Sequence, residues 1–208
     1  MAECQINRLP MFENVEIGMG TWSWGDRLFW GYGVAYNERD LEDAYHYCVA
    51  SGVTFFDTAE TYGQGQSEII LGKFSRDFPQ PVQIATKFMP FPWRVSRGSF
   101  MRALKASLKR LGRSRIELYQ IHWPLPPVNI ETWMEAMLDA NQAGLIDSIG
   151  VSNFDRNKMQ RAFDVLIRHW TRLASNQVEF NLINREMEKN GLLEHCKTLG
   201  VALSLIHI

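Results

Sequence analysis

Four ionisable side chains in this sequence are of types that could together deliver a proton: Asp57, Tyr62, Lys87 and His122. Asp57 closes an apolar run at 53–56, and Tyr62 follows it within GVTFFDTAETYGQG, residues 52–65. Lys87 ends the run VQIATK, and His122 ends IELYQIH. Each residue alone has a plainer reading. Asp57 could cap a turn, Tyr62 could pack, Lys87 could be a solvated strand end and His122 a satisfied, half-buried histidine. Arriving in step at the ends of three adjacent strands, they suggest a shared site. A free phenol, with a pKa of about 10, is a poor acid at neutral pH. An ammonium beside it favours the phenolate and lowers that value, while a carboxylate fixes the ammonium. Tyr62 would then be the donor, Lys87 its activator and Asp57 the anchor of Lys87. His122 would orient a carbonyl oxygen beside Tyr62.

The elements that must position these residues follow from alternation along the chain. Strand patterns are expected at 14–20, 53–57, 82–87, 116–122, 145–151, 173–178 and 201–205. Helical patterns lie between them at 38–51, 67–74, from 99 to a stop at Gly112, 131–143, 156–169 and 186–199. Asn37 is a plausible N-cap, and Gly52 suits the position after the first helix. Such a succession of βα units implies a parallel sheet. Chemistry-bearing residues at the ends of successive strands favour a (β/α)₈ (TIM) barrel of α/β class over an open sheet. Such barrels typically take about 250 residues. This chain has 208 and stops in its seventh strand, so 1–208 reads as one barrel domain, incomplete at its C-terminal end.

Composition narrows the function. The chain is 46% hydrophobic and 22% charged, with a net charge of -1. That balance gives no pull towards nucleic acid or an anionic membrane. Cys4, Cys48 and Cys196 are few and widely spaced, which suggests a reducing compartment, and no CxxC or Cys/His cluster suggests zinc. The start, MAECQINRLP, lacks a secretory pattern, so a cytoplasmic location is expected, or a plastid if a transit peptide precedes it. Gly18 and Gly20 are followed by Ser23 rather than a third glycine, so no Rossmann fingerprint is present.

The motifs FDTAETYG, ATKF, LYQIHWP, IGVSNF and NQVEFNL, in this order and spacing, resemble the aldo-keto reductases, and the likeness runs from GMGTW to GVAL. The loop GTWSWG and the segment LFWGYG are similar to plant and cyanobacterial members. The resemblance implies a (β/α)₈ barrel that reduces an aldehyde or ketone with NADPH, NADH remaining open. It gives Asp57, Tyr62, Lys87 and His122 the catalytic roles. It places Gly20, Thr21, Trp22, Asp57, Ser152, Asn153 and Gln177 against the cofactor's nicotinamide end. Trp24, Trp30, Trp93 and Trp123 lie in strand-end loops and would wall an apolar substrate pocket. The expected partner is a small carbonyl compound, with no nucleic acid, membrane or metal, and the sequence does not set the oligomeric state. Two alternatives use the same residues. One is a regulatory subunit on this fold, as in the family's potassium-channel β subunits. The other is a barrel aldolase with Lys87 as Schiff-base lysine. One departure stands out. Where the family continues after GVAL with an aromatic residue and Ser-Pro, this chain reads SLIHI.

Overall fold

The computed structural model describes residues 15–206. Seven parallel strands form one sheet in sequence order: β1 (Met19–Gly20), β2 (Phe55–Asp57), β3 (Gln83–Phe88), β4 (Ile116–Ile121), β5 (Ile146–Ser152), β6 (Leu173–Glu179) and β7 (Ala202–Ile206). Helices α1 (Glu38–Ala50), α2 (Gln66–Asp77), α3 (Arg97–Leu111), α4 (Ile130–Gln142) and α5 (Arg156–Arg168) each return the chain to the next strand. Two shorter helices, α6 (Glu186–Lys189) and α7 (Leu192–Leu199), fill the last connection. This is a (β/α)₈-type barrel, of which the described residues supply seven strands.

Two apolar layers hold the sheet. The outer one lies between strands and helices, where Phe88 meets Phe100 and Trp133 edge-on, 5.0 Å from each ring. Each such side chain, fully buried, stabilises the fold by about 1.5–3 kcal/mol. The inner layer fills the barrel with Phe55, Ala85, Leu118 and Ala174, against which Val15 packs. Gly150, on the central strand β5, leaves room for its register partners on β4 and β6. A Cβ on it would lie 2.7 Å from Ser175 Oγ and 3.0 Å from Gln120 Cγ.

Several expected elements differ in extent; the second strand, expected at 53–57, is Phe55–Asp57, and the second helix, expected at 67–74, is Gln66–Asp77. The first strand, expected at 14–20, is only Met19–Gly20, and Asn14 lies outside the described residues. The third helix begins at Arg97 rather than 99, because Ser96 caps it: its hydroxyl accepts from Ser99 N while Ser99 Oγ accepts from Ser96 N. The helix expected at 186–199 is split. Gly191 takes a left-handed φ of 76°, and Asn190 Oδ1 accepts from Leu192 N at 3.0 Å, starting α7 afresh. Among the described residues no helix is long and apolar enough to cross a membrane.

Candidate active site

The carboxyl ends of β2, β3 and β4 converge on one buried cation. Lys87 is 0% exposed. Its Nζ donates to Asp57 Oδ2 at 2.6 Å, to the carbonyl of Thr58 at 2.9 Å and to Tyr62 Oη at 3.3 Å. The ammonium also lies 5.0 Å from the centre of the Tyr62 ring. Three acceptors match the three donors of an ammonium, which is how a charge can be buried here. The His122 ring meets Tyr62 edge-on, 5.7 Å away with planes at 82°. The four residues singled out in the sequence are thus neighbours.

The local chain geometry explains how Tyr62 reaches inward. After β2 the backbone passes through a 3₁₀ turn, Tyr62–Gly65, with left-handed φ at Gly63, Gln64 and Gly65. A Cβ on Gly63 would come within 2.9 Å of the Gly25 carbonyl group, so only glycine lets these two loops touch. Thr21 secures the neighbouring loop. Its hydroxyl donates to the Asp57 carbonyl at 3.0 Å and lies 2.7 Å from Ser67 Oγ.

Electrostatics differ from the expectation in one respect. Burial pushes the Tyr62 phenol up; the Lys87 ammonium pulls it down and the Asp57 carboxylate adds to the rise, leaving the pKa above its ordinary value. The lysine lowers the phenol's pKa, as expected, but burial outweighs it. For Lys87, burial disfavours the charge, yet Asp57 and Tyr62 prevail and hold its pKa above the ordinary value. Burial, with Lys87 next, drives the His122 imidazole down to about 3. His122 is therefore neutral at physiological pH.

The ends of β5 and β6 carry the amide-bearing residues. Ser152 Oγ donates to the Gln177 carbonyl at 3.1 Å, and Asn153 N to the same oxygen at 2.8 Å. Asn153 adopts φ 61°, a left-handed conformation that asparagine tolerates better than most residues. This turns its side-chain amide to donate to the His122 carbonyl at 3.0 Å. Gln177 Oε1 is buried and has no hydrogen-bond partner among the described residues. A cleft of about 710 Å³ opens beside it between β1 and β7, lined by Gly20, Asp57, Gln177 and Ser204 among others.

The tryptophans divide. Trp24 is a core residue, 1% exposed and edge-on to Phe56 and Phe74, so it does not wall a pocket as expected. Its neighbour Trp22 occupies the mouth instead, with its ring 6.2 Å from Tyr62 and 5.5 Å from Trp30. Trp123, beside His122, is exposed, and Trp93 is exposed and stacked on Phe91. Two residues that the motifs did not single out join the cluster through contacts at the limit of hydrogen bonding. Gln120 Nε2 lies 3.5 Å from Asp57 Oδ1, and Thr61 Oγ1 lies 3.5 Å from His122 Nδ1. Gln120 was readable from period-two alternation, since it shares the His122 side of β4.

A buried ammonium held by a carboxylate and touching a phenol, a neutral imidazole, and an open cleft with an unmet amide acceptor are now in place. The sequence profile of the aldo/keto reductase family matches residues 16–206. The chain belongs to the aldo/keto reductase family. Among curated relatives of this reductase-family chain, pyridoxal reductase of the Arabidopsis thaliana chloroplast is 33% identical over 90% of the chain and 54% of that protein. Aldo-keto reductase YhdN of Bacillus subtilis is 36% identical over 86% of the chain and 54% of its own length. The chain thus spans about half the length of these relatives. The crystal structure of the thermostable aldo-keto reductase Tm1743 with the inhibitor epalrestat superposes with a TM-score of 0.77, at 34% identity over 89% of this chain and 65% of that one. A Klebsiella pneumoniae aldo-keto reductase in complex with NADPH superposes with a TM-score of 0.73, at 30% identity over 89% of this chain and 61% of that one.

Proposed function

We propose that this chain carries the catalytic half of an NADPH-dependent reductase that converts an aldehyde or ketone to an alcohol. The observation that carries the reading is the Lys87 ammonium shared by Asp57 and Tyr62, with neutral His122 against the Tyr62 ring. Tyr62 donates the proton to the carbonyl oxygen. Lys87 stabilises the phenolate that remains, and Asp57 fixes Lys87. His122, neutral, donates a hydrogen bond that orients the same oxygen. A hydrogen bond to the oxygen strengthens as negative charge develops on it, so it favours the transition state over the ground state.

The residues present fit a nicotinamide. Its carboxamide offers an N–H donor, and the orphaned Gln177 Oε1 is a buried acceptor. Ser152 and Asn153 stand beside it, and Gly20 leaves open space where a Cβ would project. Ser152, Asn153 and Gln177 would therefore hold the carboxamide, with Gly20, Trp22 and Asp57 nearby. Thr21 acts by fixing that loop. When bound, the cofactor would supply the hydride to the carbonyl carbon. The NADPH complex of the Klebsiella relative supports NADPH as the first cofactor to test, with NADH as comparison.

Trp22, Trp30 and Trp123 provide flat apolar surface at the mouth, which suits an apolar or aromatic carbonyl compound. The Arabidopsis relative makes pyridoxal, a planar aromatic aldehyde, one substrate to include. The Schiff-base alternative is opposed by chemistry, because attack on a carbonyl needs a neutral amine and Lys87 is held charged by three acceptors. The test is a screen of the whole protein against aldehydes and ketones, following NADPH oxidation. Stoichiometric alcohol formation is expected. A protein that binds NADPH but oxidises none of it would leave a regulatory subunit as the better reading.

A further inference from the structure

A second ion pair, unused by the proposed chemistry, lies beside the tetrad. Glu60 is two residues before Tyr62, and its side chain is 6% exposed. Its Oε1 accepts from Met89 N at 2.7 Å and pairs closely with Arg94 Nη1, while Oε2 accepts from Arg94 Nη2 at 3.1 Å. Arg94 Nη1 also donates to the Met89 carbonyl at 2.8 Å. The pair therefore ties the loop after β2 to the loop after β3 through the backbone as well as the side chains. Phe88, just before Met89, accepts from His122 N at 2.8 Å, so the same joint reaches the end of β4.

Arg94 does a second thing. Its guanidinium lies over the Phe88 ring at 5.1 Å and over the Phe91 ring at 5.2 Å. Phe91 in turn stacks on Trp93 with ring centres 4.7 Å apart and planes 5° from parallel. Trp93 is 73% exposed. An exposed tryptophan on a loop would ordinarily sample many orientations. Here its stacking partner is pinned by a partly buried, bidentate guanidinium–carboxylate contact, a geometry more specific than a lysine could provide.

We propose that Glu60 and Arg94 are positioning residues for substrate selection. They hold the Phe91–Trp93 stack as a fixed aromatic wall on the loop after β3, the strand between those that lead to Tyr62 and His122, and so favour bulky aromatic carbonyl compounds over small aliphatic ones. The proposal rests on the carbonyl reductase reading. A pair that only supported the fold would affect all substrates alike. A wall acts selectively, raising KM for molecules large enough to reach it and leaving kcat and small molecules alone.

The experiment compares full-length wild type with Arg94→Met, Arg94→Lys and Glu60→Gln, using 2-naphthaldehyde and propanal as probes. Arg94→Met keeps an unbranched apolar stem over the rings but removes the fork. The expected result is a KM for 2-naphthaldehyde raised about tenfold, the scale of one lost aromatic contact, with kcat and the propanal KM unchanged. Arg94→Lys and Glu60→Gln should fall between wild type and Arg94→Met. Hydrogen exchange supplies a readout independent of turnover: the Met89 amide should exchange faster in Arg94→Met. An unchanged 2-naphthaldehyde KM, or equal rises for both aldehydes, would overturn the selective role. Unchanged exchange at Met89 would overturn the clamp itself. If wild type reduces neither aldehyde, the reductase reading falls and takes the selective role with it, while exchange still decides whether the clamp exists.

Discussion

At the scale of single residues, the tetrad makes predictions whose signs follow from its charges. Tyr62→Phe in the full-length protein should lower turnover by roughly 10²–10⁴, the range for a general acid. NADPH affinity, read by fluorescence titration, should hardly change, and near-normal turnover would end the donor role. The alkaline limb of the pH profile is the second test. Burial is the largest influence on Tyr62, Lys87 lowers its pKa and Asp57 raises it. Lys87→Met should therefore move the limb upwards and weaken the donor, whereas Asp57→Asn should move it downwards while Lys87 stays charged. Shifts of the same sign in both variants would mean that another group controls Tyr62. His122 supplies the third test. Its pKa is about 3 in the folded chain and about 6.5 when unfolded. Below 6.5 the unfolded chain takes up a proton that the folded one refuses until about 3, so stability falls as pH drops across that window. With each unit worth about 1.4 kcal/mol, the full loss reaches roughly 5 kcal/mol. His122→Gln should flatten the acid limb of a denaturant-midpoint profile, and an unaltered slope between pH 6.5 and 4 would refute the burial argument.

At the scale of elements, strand ends were the most legible part of the molecule. An apolar run that stops at an acid, a lysine or a histidine marks both a buried strand and its functional end, which is why Asp57, Lys87 and His122 stood out. Loop conformation was less legible. GTWSWG offers two tryptophans two residues apart, and nothing in their type says that Trp24 turns into the core while Trp22 turns to Tyr62. That choice depends on long-range packing against Phe56 and Phe74. Gln120 could be reached only through His122: two residues earlier on the same strand, it shares that side of β4, and nothing in its own residue type pointed to the site. The Asn190–Gly191 break was written in the residue types, yet the apolar pattern on both sides argued for one continuous helix. The loop holding Tyr62 gives an element-scale prediction. Gly63→Ala adds both left-handed strain and a 2.9 Å contact with Gly25, whereas Gly33→Ala at φ 84° meets nothing within 4 Å. Gly33→Ala should cost about 1 kcal/mol, and Gly63→Ala roughly 1–3 kcal/mol more, the scale of overpacking. Equal losses in a denaturant melt would show that the loops do not rely on that contact.

At the scale of the whole molecule, the sheet's two margins decide what this polypeptide can do alone. Among the described residues β1 pairs only with β2, and β7 only with β6. A closed barrel leaves no such margins. Between them lies the 710 Å³ cleft, whose apolar lining includes Val15, Phe55, Ala174, Leu203 and Leu205. Phe55 and Ala174 belong to the inner packing layer as well, so water entering the cleft wets the barrel's own core. At about 25 cal/mol per Å², a few hundred Å² of wetted apolar surface costs several kcal/mol. That is comparable with the whole stability of a typical domain, about 5–15 kcal/mol. Unpaired strand margins also offer hydrogen-bonding groups to other copies. Expressed by itself, the 208-residue polypeptide should therefore aggregate or lack a cooperative melt, with no saturable NADPH binding in the micromolar range. Gel filtration, thermal melting and fluorescence titration with NADPH check this together. A monomer that melts cooperatively and binds NADPH with micromolar affinity would mean that the seven strands are sufficient, and that the cleft is tolerated rather than filled.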